Sequence, residues 1–442
     1  MAAPTAEGRR RPVPPMASGA STLLRRMPLR LKRVLQRVRE VASEQRVEAY
    51  LVGGAVRDLL LGRPILDVDI TVLGNAIAFG KRLAGELGGE LAAHGQLGTA
   101  TVRVGEMRID LATARAEEYP RPGALPRVRP GTLEEDLLRR DFTVNAMAVS
   151  LGTDFGRHID LCGGAQDLAR GLIRVLRGGS FEDDPTRVLR AVRLAETRSL
   201  RLAPETRRLA LEALKRGALD TLSGTRLRDQ LVLTLEGARA GALARRLEAL
   251  GFWQALHPGL RAEAAALRIM ANLARMRTRV AGPPPCGWWT LNLLALAQRL
   301  SAAGGAALAL RLQLRAPERE AVVETLRLGG RLVRRLSAPA LGPGHVWLLL
   351  RNVSVAVPVF LAAALPARTP AGARARRFLF RDRFAAPPLD GRALLRLGVP
   401  EGPILGKMLQ QLTVACIEGG VHTPAEVAEW VRRRLPRTRK VD

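Results

Sequence analysis

The chain has 442 residues, and its 70 lysines and arginines outnumber its 41 aspartates and glutamates, which gives a formal net charge of +29 at pH 7. Hydrophobic residues make up 47% of the chain and charged residues 25%, which excludes an intrinsically disordered protein. This length allows about two to four folded domains. The three cysteines, Cys162, Cys286 and Cys416, are too few and too far apart for a disulfide framework or a zinc-binding CxxC pair. We therefore expect a reducing compartment, the cytoplasm, and no zinc.

The positive charge comes almost entirely from arginine, since the chain has only five lysines. An excess of this size attracts polyanions, so we expect a nucleic-acid partner. The alternative is a solvated basic surface without a partner. A membrane partner is not expected, because the most apolar run, Val353 to Leu365, is interrupted by Pro358 and is shorter than the ~20 residues of a spanning helix.

Residues 1–22 are rich in proline, alanine, glycine and arginine, and they predict a disordered extension. They lack the apolar region of a secretory signal, whereas an organelle transit peptide remains an alternative because arginine is frequent there. From Leu24 to Glu44 apolar residues recur at helical spacing, which predicts an amphipathic helix. Its apolar positions are Leu31, Val34, Leu35, Val38 and Val41.

The next part of the chain predicts a mixed α/β domain. Several runs rich in β-branched residues have the length of strands, and Gly105-Glu106 between two of them predicts a tight hairpin. A helical stretch from Asn75 to Leu87 lies among these runs. The predicted strands cover residues 48–54, 67–74, 98–105, 107–114 and 142–150.

After about residue 165 the strand signals vanish, and leucine, alanine and arginine recur at helical spacing to the end of the chain. Breaks rich in glycine and proline divide this part into several helical groups. The expected fold class is therefore α+β, a mixed-sheet head followed by an all-α neck, body and tail. The expected boundaries are 1–22 for the extension, 23–165 for the head, 166–280 for the neck, and 281–442 for the body and tail.

The richest motif lies in residues 51–74, LVGGAVRDLLLGRPILDVDITVLG. Gly53-Gly54 follows a predicted strand and precedes a predicted helix, which lets the backbone approach a phosphate held by helix N–H groups. Arg57 lies one turn into that helix and has the length to reach a triphosphate. Glycine pairs after strands are common, so this element alone is weak.

The strand that follows carries Asp67 and Asp69. Residues i and i+2 of a strand point to the same side, so the two carboxylates converge. Like charges on one face need an opposing charge, and a divalent cation such as Mg²⁺ supplies it with substrate phosphates and water as further ligands. The alternative is an edge strand with solvated acids, but the glycine pair and Arg57 upstream favour the metal.

A second element, residues 133–150, places Arg139-Arg140-Asp141 before an apolar run that Asn145 interrupts. A buried amide must be satisfied by hydrogen bonds, from a sugar hydroxyl or from a neighbouring loop. The arginines alternatively interact only with the dipole at a helix C-terminus.

A third element, residues 180–195, begins with Asp184 before Pro185, a pattern typical of a helix cap followed by proline at the first helical position. Arg187, Arg190 and Arg193 follow at three-residue steps and lie along one side of the helix. Three aligned arginines indicate a site for an anion or a base, and the alternative is a solvated helix face.

Together the three elements resemble the class II tRNA nucleotidyltransferase and bacterial poly(A) polymerase family. The first motif of that family matches Gly53 to Asp58 with Asp67-Val68-Asp69, and the second matches Arg139 to Ala146. The base-selecting motif matches Asp183 to Arg187, with Asp183 where glutamate is usual. The resemblance covers residues 46–195, and a weaker likeness at 389–409 is similar to the closing segment of family members that hold tRNA.

The resemblance implies a palm-like, Mg²⁺-dependent nucleotidyltransferase head in which Asp67 and Asp69 are the catalytic, metal-binding carboxylates. It also implies contacts to the triphosphate and sugar, and support of the phosphates further along. The residues implied for these nucleotide contacts are Gly54, Arg57, Arg140, Arg190 and Arg193.

Asp184 and Arg187 would recognise the base. Cytosine and adenine both present an amino donor beside a ring-nitrogen acceptor, whereas uracil and guanine present the reverse. An acid that accepts and an arginine that donates therefore match C and A and mispair with U and G.

The implied function is template-independent addition of CCA, from CTP and ATP, to the 3′ end of tRNA, with binding of the tRNA acceptor and elbow region. The alternatives are a poly(A) polymerase, an enzyme that adds only CC or only A, and an RNA-binding protein with an inactive head. Intact Asp67 and Asp69 favour the enzymes. No His-Asp pair is present in the sequence, so the metal phosphohydrolase module of some relatives is not expected.

Two further positions are left open. Asp110 is either a third catalytic carboxylate or a structural acid at a strand end. The proline-rich linker from Arg115 to Glu134 is long for a compact domain, which predicts a mobile functional loop. In the family such a loop helps the enzyme to switch from C to A addition.

Overall fold

The computed structural model describes residues 27–65, 67–95, 98–280 and 282–435. The chain divides into two compact units after Leu222. The first unit is built on a mixed sheet and the second is helical, so the predicted α+β class is confirmed. The finer division into head, neck, body and tail stays a prediction, and the predicted disordered extension, 1–22, lies outside the described residues.

The first unit alternates short helices with strands. Its elements in chain order are α1 (Leu29–Gln45), β1 (Glu48–Val52), α2 (Gly54–Leu60), β2 (Asp67–Leu73), α3 (Ala76–Leu87), β3 (Glu90–His94), β4 (Thr99–Val104), β5 (Met107–Thr113), β6 (Arg115–Glu118), β7 (Arg127–Pro130), α4 (Leu133–Leu138), β8 (Met147–Ser150), β9 (His158–Asp160), α5 (Gly164–Ala169), β10 (Leu172–Ile173), α6 (Ser180–Asp183), α7 (Thr186–Arg198), β11 (Arg201–Leu202) and α8 (Pro204–Lys215).

Seven of the described strands form one sheet, in the order β3-β4-β5-β2-β1-β8-β9. The pair β2–β5 is parallel, and the other pairs of this sheet are antiparallel. Alternate residues of β2, Val68, Ile70 and Val72, are buried. Because strand side chains alternate, Asp67 and Asp69 are left on the opposite face. The sheet thus buries one side of β2 and presents the other to a cleft.

Most predicted elements of this unit form where the sequence placed them. Helix α1 buries its predicted apolar face, and Asn75 caps α3 by accepting the N–H groups of Ile77 and Ala78 at 3.0 Å each. The predicted hairpin at Gly105 is confirmed, since Val104 pairs with Met107 and Gly105 takes a positive φ of 58°. These elements form locally because their periodicity and caps agree with the sheet.

Three expectations about strands are wrong. The run 142–150 begins with a 3₁₀ turn over Thr143–Asn145, and the strand starts only at Met147. The linker 115–134 contains the antiparallel ribbon β6–β7, and the part expected to lack strands contains the short parallel pair β10–β11. These short strands lack an alternating pattern of apolar and polar residues. Tertiary contacts, and not periodicity, therefore fix where they form.

The second unit consists of helices, as expected. They are α9 (Gly224–Leu235), α10 (Ala240–Glu248), α11 (Phe252–Leu256), α12 (Ala264–Met276), α13 (Gly287–Leu296), α14 (Ala302–Arg311), α15 (Ala316–Leu336), α16 (Pro343–Leu350), α17 (Ala356–Ala364), α18 (Pro370–Phe380), α19 (Gly391–Arg396), α20 (Pro403–Ile417) and α21 (Pro424–Arg432). Helices α13 and α17 are buried along most of their length, which explains their uniformly apolar sequences. Within the described ranges, no helix has the length and apolar character that crossing a membrane requires.

The last three helices enclose a hydrophobic cluster of their own. Its buried members are Leu394, Val399, Met408, Leu412, Val421, Val427 and Val431. Helix α20 also contacts α16, where a Cβ on Gly344 would lie 2.4 Å from a Val414 methyl group. The predicted closing segment, 389–409, supplies about half of this cluster.

Candidate active site

The two carboxylates of the DVD motif lie side by side on β2. The parallel pairing of β2 with β5 sets Asp69 opposite Asp110 and Asp67 opposite Arg108. Laterally paired residues point to the same face, so the carboxylates of Asp69 and Asp110 share one side of the sheet. Both line a cavity of 380 Å³ together with Arg108 and Arg140.

The surroundings of Asp69 destabilise its ionised form. Burial raises the pKa of Asp69 to about 6, the Arg140 guanidinium opposes the rise, and the carboxylates of Asp110 and Asp67 add to it. Such crowding of acids is relieved by a bound cation, which lowers the pKa again. The face of β2 therefore has the electrostatic character of a cation site.

Asp110 already has partners in the structure. It accepts a 2.6 Å hydrogen bond from the Thr101 hydroxyl and forms a 2.9 Å ion pair with Arg108. It is thus a strand residue of the same face whose charge is balanced by its neighbours. These contacts do not decide between the two roles that the sequence left open for Asp110, a third catalytic carboxylate or a structural acid.

Gly53 and Gly54 join β1 to α2 directly beside this face. Gly53 has φ 69° and ψ −131°, a conformation that glycine adopts far more readily than other residues. A Cβ at Gly53 would lie 2.8 Å from Arg140 Nη1 and 3.7 Å from Asp69 Oδ2. The first glycine of the pair therefore lets the backbone turn and leaves room for Arg140 next to Asp69.

Arg140 is held in place by buried Asp136. Its Nη2 donates to Asp136 Oδ2 at 2.8 Å, and its Nε donates to the Asp136 carbonyl at 3.2 Å. Arg139 donates to the other carboxylate oxygen of Asp136 at 2.6 Å. These arginines lower the pKa of Asp136 below its ordinary value, although burial alone would raise it. The two arginines of the motif are therefore fixed by one acid that the sequence analysis did not single out.

Arg57 is buried and bonded within the protein. Its Nη1 donates to Asn145 Oδ1 at 2.5 Å, and its Nε and Nη2 donate to Asp58 at 3.0 and 2.9 Å. Asn145 Nδ2 donates in turn to Asp141 Oδ1 at 2.9 Å. The polar Asn145 in an apolar run is thus satisfied by neighbouring protein groups, one of the two explanations that its sequence left open.

Arg190 pairs with Asp141. Its Nε and Nη2 both donate to Asp141 Oδ2, at 2.8 and 2.6 Å. One turn further along α7, burial lowers the pKa of Arg193 to about 10, and the nearby charge of Arg190 adds to this effect. The arginines of α7 therefore gather positive charge beside the loop of residues 139–142, the Asp141 loop, where an anion would offset it.

Asp184 caps helix α7 from two residues before it, because the helix begins at Thr186 and Pro185, predicted as its first residue, directly precedes it. Its Oδ1 accepts the Thr186 backbone N–H at 3.0 Å and the Thr186 hydroxyl at 2.7 Å. Arg187 is buried, and its Nη1 donates to Ser180 Oγ at 2.6 Å while Nη2 donates to the Arg139 carbonyl at 3.1 Å. The predicted base-selecting pair therefore lies at the start of α7, with Asp184 two residues before the helix and Arg187 in its first turn, next to the Arg139–Arg140 motif.

The ribbon β6–β7 supplies a contact that sequence reasoning missed. Tyr119 lies against two guanidinium groups, those of Arg177 and Arg187, at 5.8 and 6.0 Å from the ring centre. Its hydroxyl also accepts from Arg187 Nη2 at 3.3 Å. Its neighbour Glu117 accepts from Arg139 Nη1 at 2.9 Å. A tyrosine and an acid within a proline-rich linker were the available signal.

The structure therefore brings the predicted site residues together in the first unit. The glycine pair, Arg140 and the β2 carboxylates form one cluster. The α7 arginines and Asp184 form a second cluster, and the Asp141 loop connects the two. Over the described residues, no group of three or more histidines, cysteines and acids is arranged to hold a metal. Two carboxylates with phosphates and water are nevertheless the ligand set that Mg²⁺ prefers.

The chain is similar in sequence to known nucleotidyltransferases. Residues 49–174 match the family model of the poly(A) polymerase head domain. A CC-adding tRNA nucleotidyltransferase of Deinococcus radiodurans is 35% identical over 394 residues, which cover 88% of this chain and 90% of that protein. An A-adding tRNA nucleotidyltransferase of Geobacter sulfurreducens is 31% identical over 90% of this chain.

The solved structures agree over almost the whole chain. The apo form II of a CCA-adding enzyme has a TM-score of 0.82 at 30% identity and covers 94% of this chain and 99% of its own. A Thermotoga maritima CCA-adding enzyme complexed with tRNA has a TM-score of 0.76 at 30% identity, with 94% of this chain and 98% of that chain covered. The chain spans only 24% to 53% of the length of the first curated relatives that it matches.

Proposed function

We propose that this chain, which belongs to the tRNA nucleotidyltransferase family with a poly(A) polymerase head domain, adds CCA to the 3′ end of tRNA from CTP and ATP. The observation that carries the proposal is the face of β2. Asp67 and Asp69 lie there beside the glycine turn and Arg140, with the α7 arginines in the same unit. A purely structural edge strand would not need a glycine that leaves room for an arginine next to a carboxylate.

The donor set on β2 suits a divalent metal, the kind of ion that nucleotidyltransferases of this family generally use. We propose Mg²⁺, held by Asp67 and Asp69. The raised pKa of Asp69 comes from burial and neighbouring carboxylates, which a cation relieves. When bound, the metal supplies charge stabilisation for phosphoryl transfer.

The chain's own residues bind and orient the nucleotide. The Arg140 guanidinium lies beside Asp69 at the Gly53 turn, and we assign it, with the backbone of the following Gly54, the contacts to the triphosphate and sugar. Arg57 holds Asn145, and we assign it the phosphate contact through its remaining N–H groups. Arg190 and Arg193 add positive charge that offsets the phosphates. In the reaction, the 3′ hydroxyl of the RNA attacks the α-phosphate, and pyrophosphate leaves.

Base selection is assigned to Asp184 and Arg187. The carboxylate of Asp184 accepts, and the guanidinium of Arg187 donates, which matches the amino group and ring nitrogen of cytosine and adenine. Asp184 lies two residues before α7 and Arg187 lies in its first turn, and this proximity supports a joint role. A base with the reverse pattern would leave buried donors and acceptors unpaired.

The RNA substrate is held by charge and shape. A net charge of +29 favours contacts to phosphates, and tRNAs of every sequence must be accepted. We therefore propose that the helical second unit binds the acceptor and elbow region of tRNA without reading sequence. The cytoplasm is the proposed location, in keeping with three free cysteine thiols.

Partial activities are the second candidate. The relatives that align with most of this chain include enzymes named A-adding and CC-adding, and the same base-selecting pair serves C and A alike. A poly(A) polymerase is a further alternative, because the matched family model is that of the poly(A) polymerase head domain. The residues of the nucleotide site are therefore the same for all of these activities. The 3′ ends that the enzyme extends, and the nucleotides that it adds to them, distinguish the activities.

The deciding experiment uses tRNAs that end before CCA, after C and after CC. Each is incubated with the protein and with CTP, ATP or both, and the products are sequenced. Addition of CCA to the first substrate supports the proposal. Addition that stops at CC, or occurs only on the CC-ended tRNA, assigns a partial enzyme, and long adenosine tracts on an oligo(A) primer assign a poly(A) polymerase.

A further inference from the structure

Asp58, directly after Arg57, joins two helices through one carboxylate. Arg57 donates to it from Nε and Nη2 at 3.0 and 2.9 Å. Arg198, the last residue of α7, donates from Nε and Nη2 at 2.8 Å each. Both oxygens of Asp58 therefore accept from two guanidinium forks. Charge-assisted bidentate pairs of this kind fix orientation as well as distance.

This ion-pair triad is largely removed from water. The side chains of Arg57 and Asp58 are 9% and 12% exposed, and that of Arg198 is 26% exposed. The arginines hold the pKa of the Asp58 carboxyl below its ordinary value, although burial alone would raise it. Without Asp58 the two guanidinium charges would repel each other at short range.

Helix α7 is thus fastened at two places. Arg190 binds Asp141, and Arg198, eight residues later, binds Asp58, so the anchors lie about 12 Å apart along the helix. The two anchors are themselves connected, because Arg57 bridges Asp58 to Asn145, and Asn145 binds Asp141. The hydrogen bonds therefore form a closed ring through α7, α2 and the Asp141 loop.

We propose that Asp58 and Arg198 are positioning residues that set nucleotide selectivity by fixing the far end of α7 to the phosphate-binding helix α2. The inference rests on the proposed function, since it concerns how the base is chosen. Asp184 and Arg187 lie at the start of α7, and their distance from the triphosphate site depends on how α7 packs against α2. The base is recognised by hydrogen bonds along one of its edges, and these bonds depend on exact geometry. A small rotation of α7 therefore weakens discrimination between bases before it weakens phosphate binding.

Two variants and a matched control test this role. Arg198→Gln removes the second fork but leaves the Arg57–Asp58 pair, whereas Asp58→Asn disturbs both forks. Arg208→Ala is the control, because exposed Arg208 also forms a bidentate ion pair, with Glu205, and both this pair and its bond to Glu212 stay within α8. The measured quantity is the ratio of kcat/KM for CTP to that for UTP on tRNA lacking CCA. This ratio does not depend on the fraction of active protein.

A second measurement does not require any enzymatic activity. Hydrogen exchange of the backbone amides in residues 194–199 reports whether the end of α7 opens more often. We expect Arg198→Gln to lower the selectivity ratio about tenfold and to speed this exchange by a similar factor, which lies within the range of coupling between contacting groups of one network. Arg208→Ala should change neither quantity, even where it lowers the melting temperature.

Unchanged selectivity and unchanged exchange in both variants would overturn the proposal and leave the triad as an ordinary structural ion pair. Faster exchange with wild-type selectivity would also overturn it, because α7 would then be loosened without consequence for the base. Failure of the wild-type protein to extend any tRNA would instead contradict the proposed function. In that case the exchange rates still decide whether Asp58 and Arg198 fix α7.

Discussion

Asp184 combines two tasks in one side chain. Its carboxylate caps α7 through Thr186, and it is also assigned to the base. Loss of a cap costs about 0.5–2 kcal/mol of stability, so truncation alone would confuse the two roles. At the scale of single residues, the useful substitutions are therefore those that keep the geometry and change the chemistry.

Asp184→Asn is such a substitution. Asparagine caps helices as well as aspartate does, but its amide adds a donor where the base requires an acceptor. We expect near wild-type thermal stability and a loss of about 1–3 kcal/mol in discrimination between CTP and UTP, the range for one mismatched base contact. Competitive incorporation with all four nucleotides measures it. Retained selectivity in Asp184→Asn would reduce Asp184 to a helix cap.

The β2 carboxylates give a second prediction. Asp67→Ala and Asp69→Ala should each lower nucleotide incorporation at least about a thousandfold, because these carboxylates would hold the divalent cation that offsets the charge of the reacting phosphates. Binding of tRNA, measured by fluorescence anisotropy, should be nearly unchanged. The control is Glu86→Ala, which removes an acid on α3 away from the β2 face. Near-normal turnover in Asp67→Ala would contradict the assignment.

Gly53 gives a third prediction, with Gly62 as its control. Both have a positive φ, but a Cβ on Gly62 meets open space, whereas one on Gly53 meets Arg140. We expect Gly62→Ala to cost about 1–2 kcal/mol of stability with little change in activity. Gly53→Ala should cost at least as much and also raise the KM for nucleotide. Chemical unfolding and steady-state kinetics separate the two effects, and equal kinetics in both variants would remove Gly53 from the site.

At the scale of elements, the pairing of strands decides which side chains meet. Asp69 and Asp110 are 41 residues apart in sequence, and only the parallel register of β2 with β5 sets them opposite each other. The ribbon β6–β7 brings Tyr119 to Arg187 in the same way. Neither contact follows from the periodicity of the separate segments.

Shortening the ribbon tests its function. Replacing residues 119–126 by a two-residue turn removes Tyr119 from Arg187 while the β6–β7 pairs remain. From the family resemblance we expect addition of C to persist and addition of the terminal A to fall about tenfold or more, a loss on the scale of one missing bidentate base contact. The control is Tyr119→Phe, which keeps the ring against the arginines. Equal rates of C and A addition in the shortened protein would contradict a role in the switch.

At the scale of the whole molecule, charge and the C-terminal cluster matter most. Arginine is spread over both units, whereas the cluster around Leu412 is confined to the last three helices. Helix α18 buries Ala375 and Phe378 among the other helices, so a truncation that spares the core must begin after it. The linker near Pro387 is the natural place.

Ending the chain at Pro387 should raise the KM for tRNA about tenfold or more, because phosphate contacts of the last helices are lost. The KM for CTP should change little, because every residue assigned to the nucleotide belongs to the first unit and is kept. For the full-length protein, the logarithm of tRNA affinity should fall linearly with the logarithm of salt concentration. The truncated protein should show a shallower slope. Equal slopes and equal KM values for tRNA would place the RNA contacts elsewhere.

The sequence by itself determined the α+β class, the family, most of the strands and the cap of α7. These features depend on residues close together in the chain, namely alternation in β2, helical spacing in α1, and Asp184 before Pro185. Local backbone preferences and side-chain periodicity are strong enough to specify them before any packing occurs.

Only the tertiary structure decided how polar side chains are shared. Asn145 binds Arg57 across 88 residues, Asp58 binds Arg198 across 140, and Asp141 binds Arg190 across 49. Each of these acids or amides is satisfied by a partner that no local pattern names. A buried polar group must find a hydrogen-bond partner, but which one it finds is fixed by the packing of α2, α4 and α7.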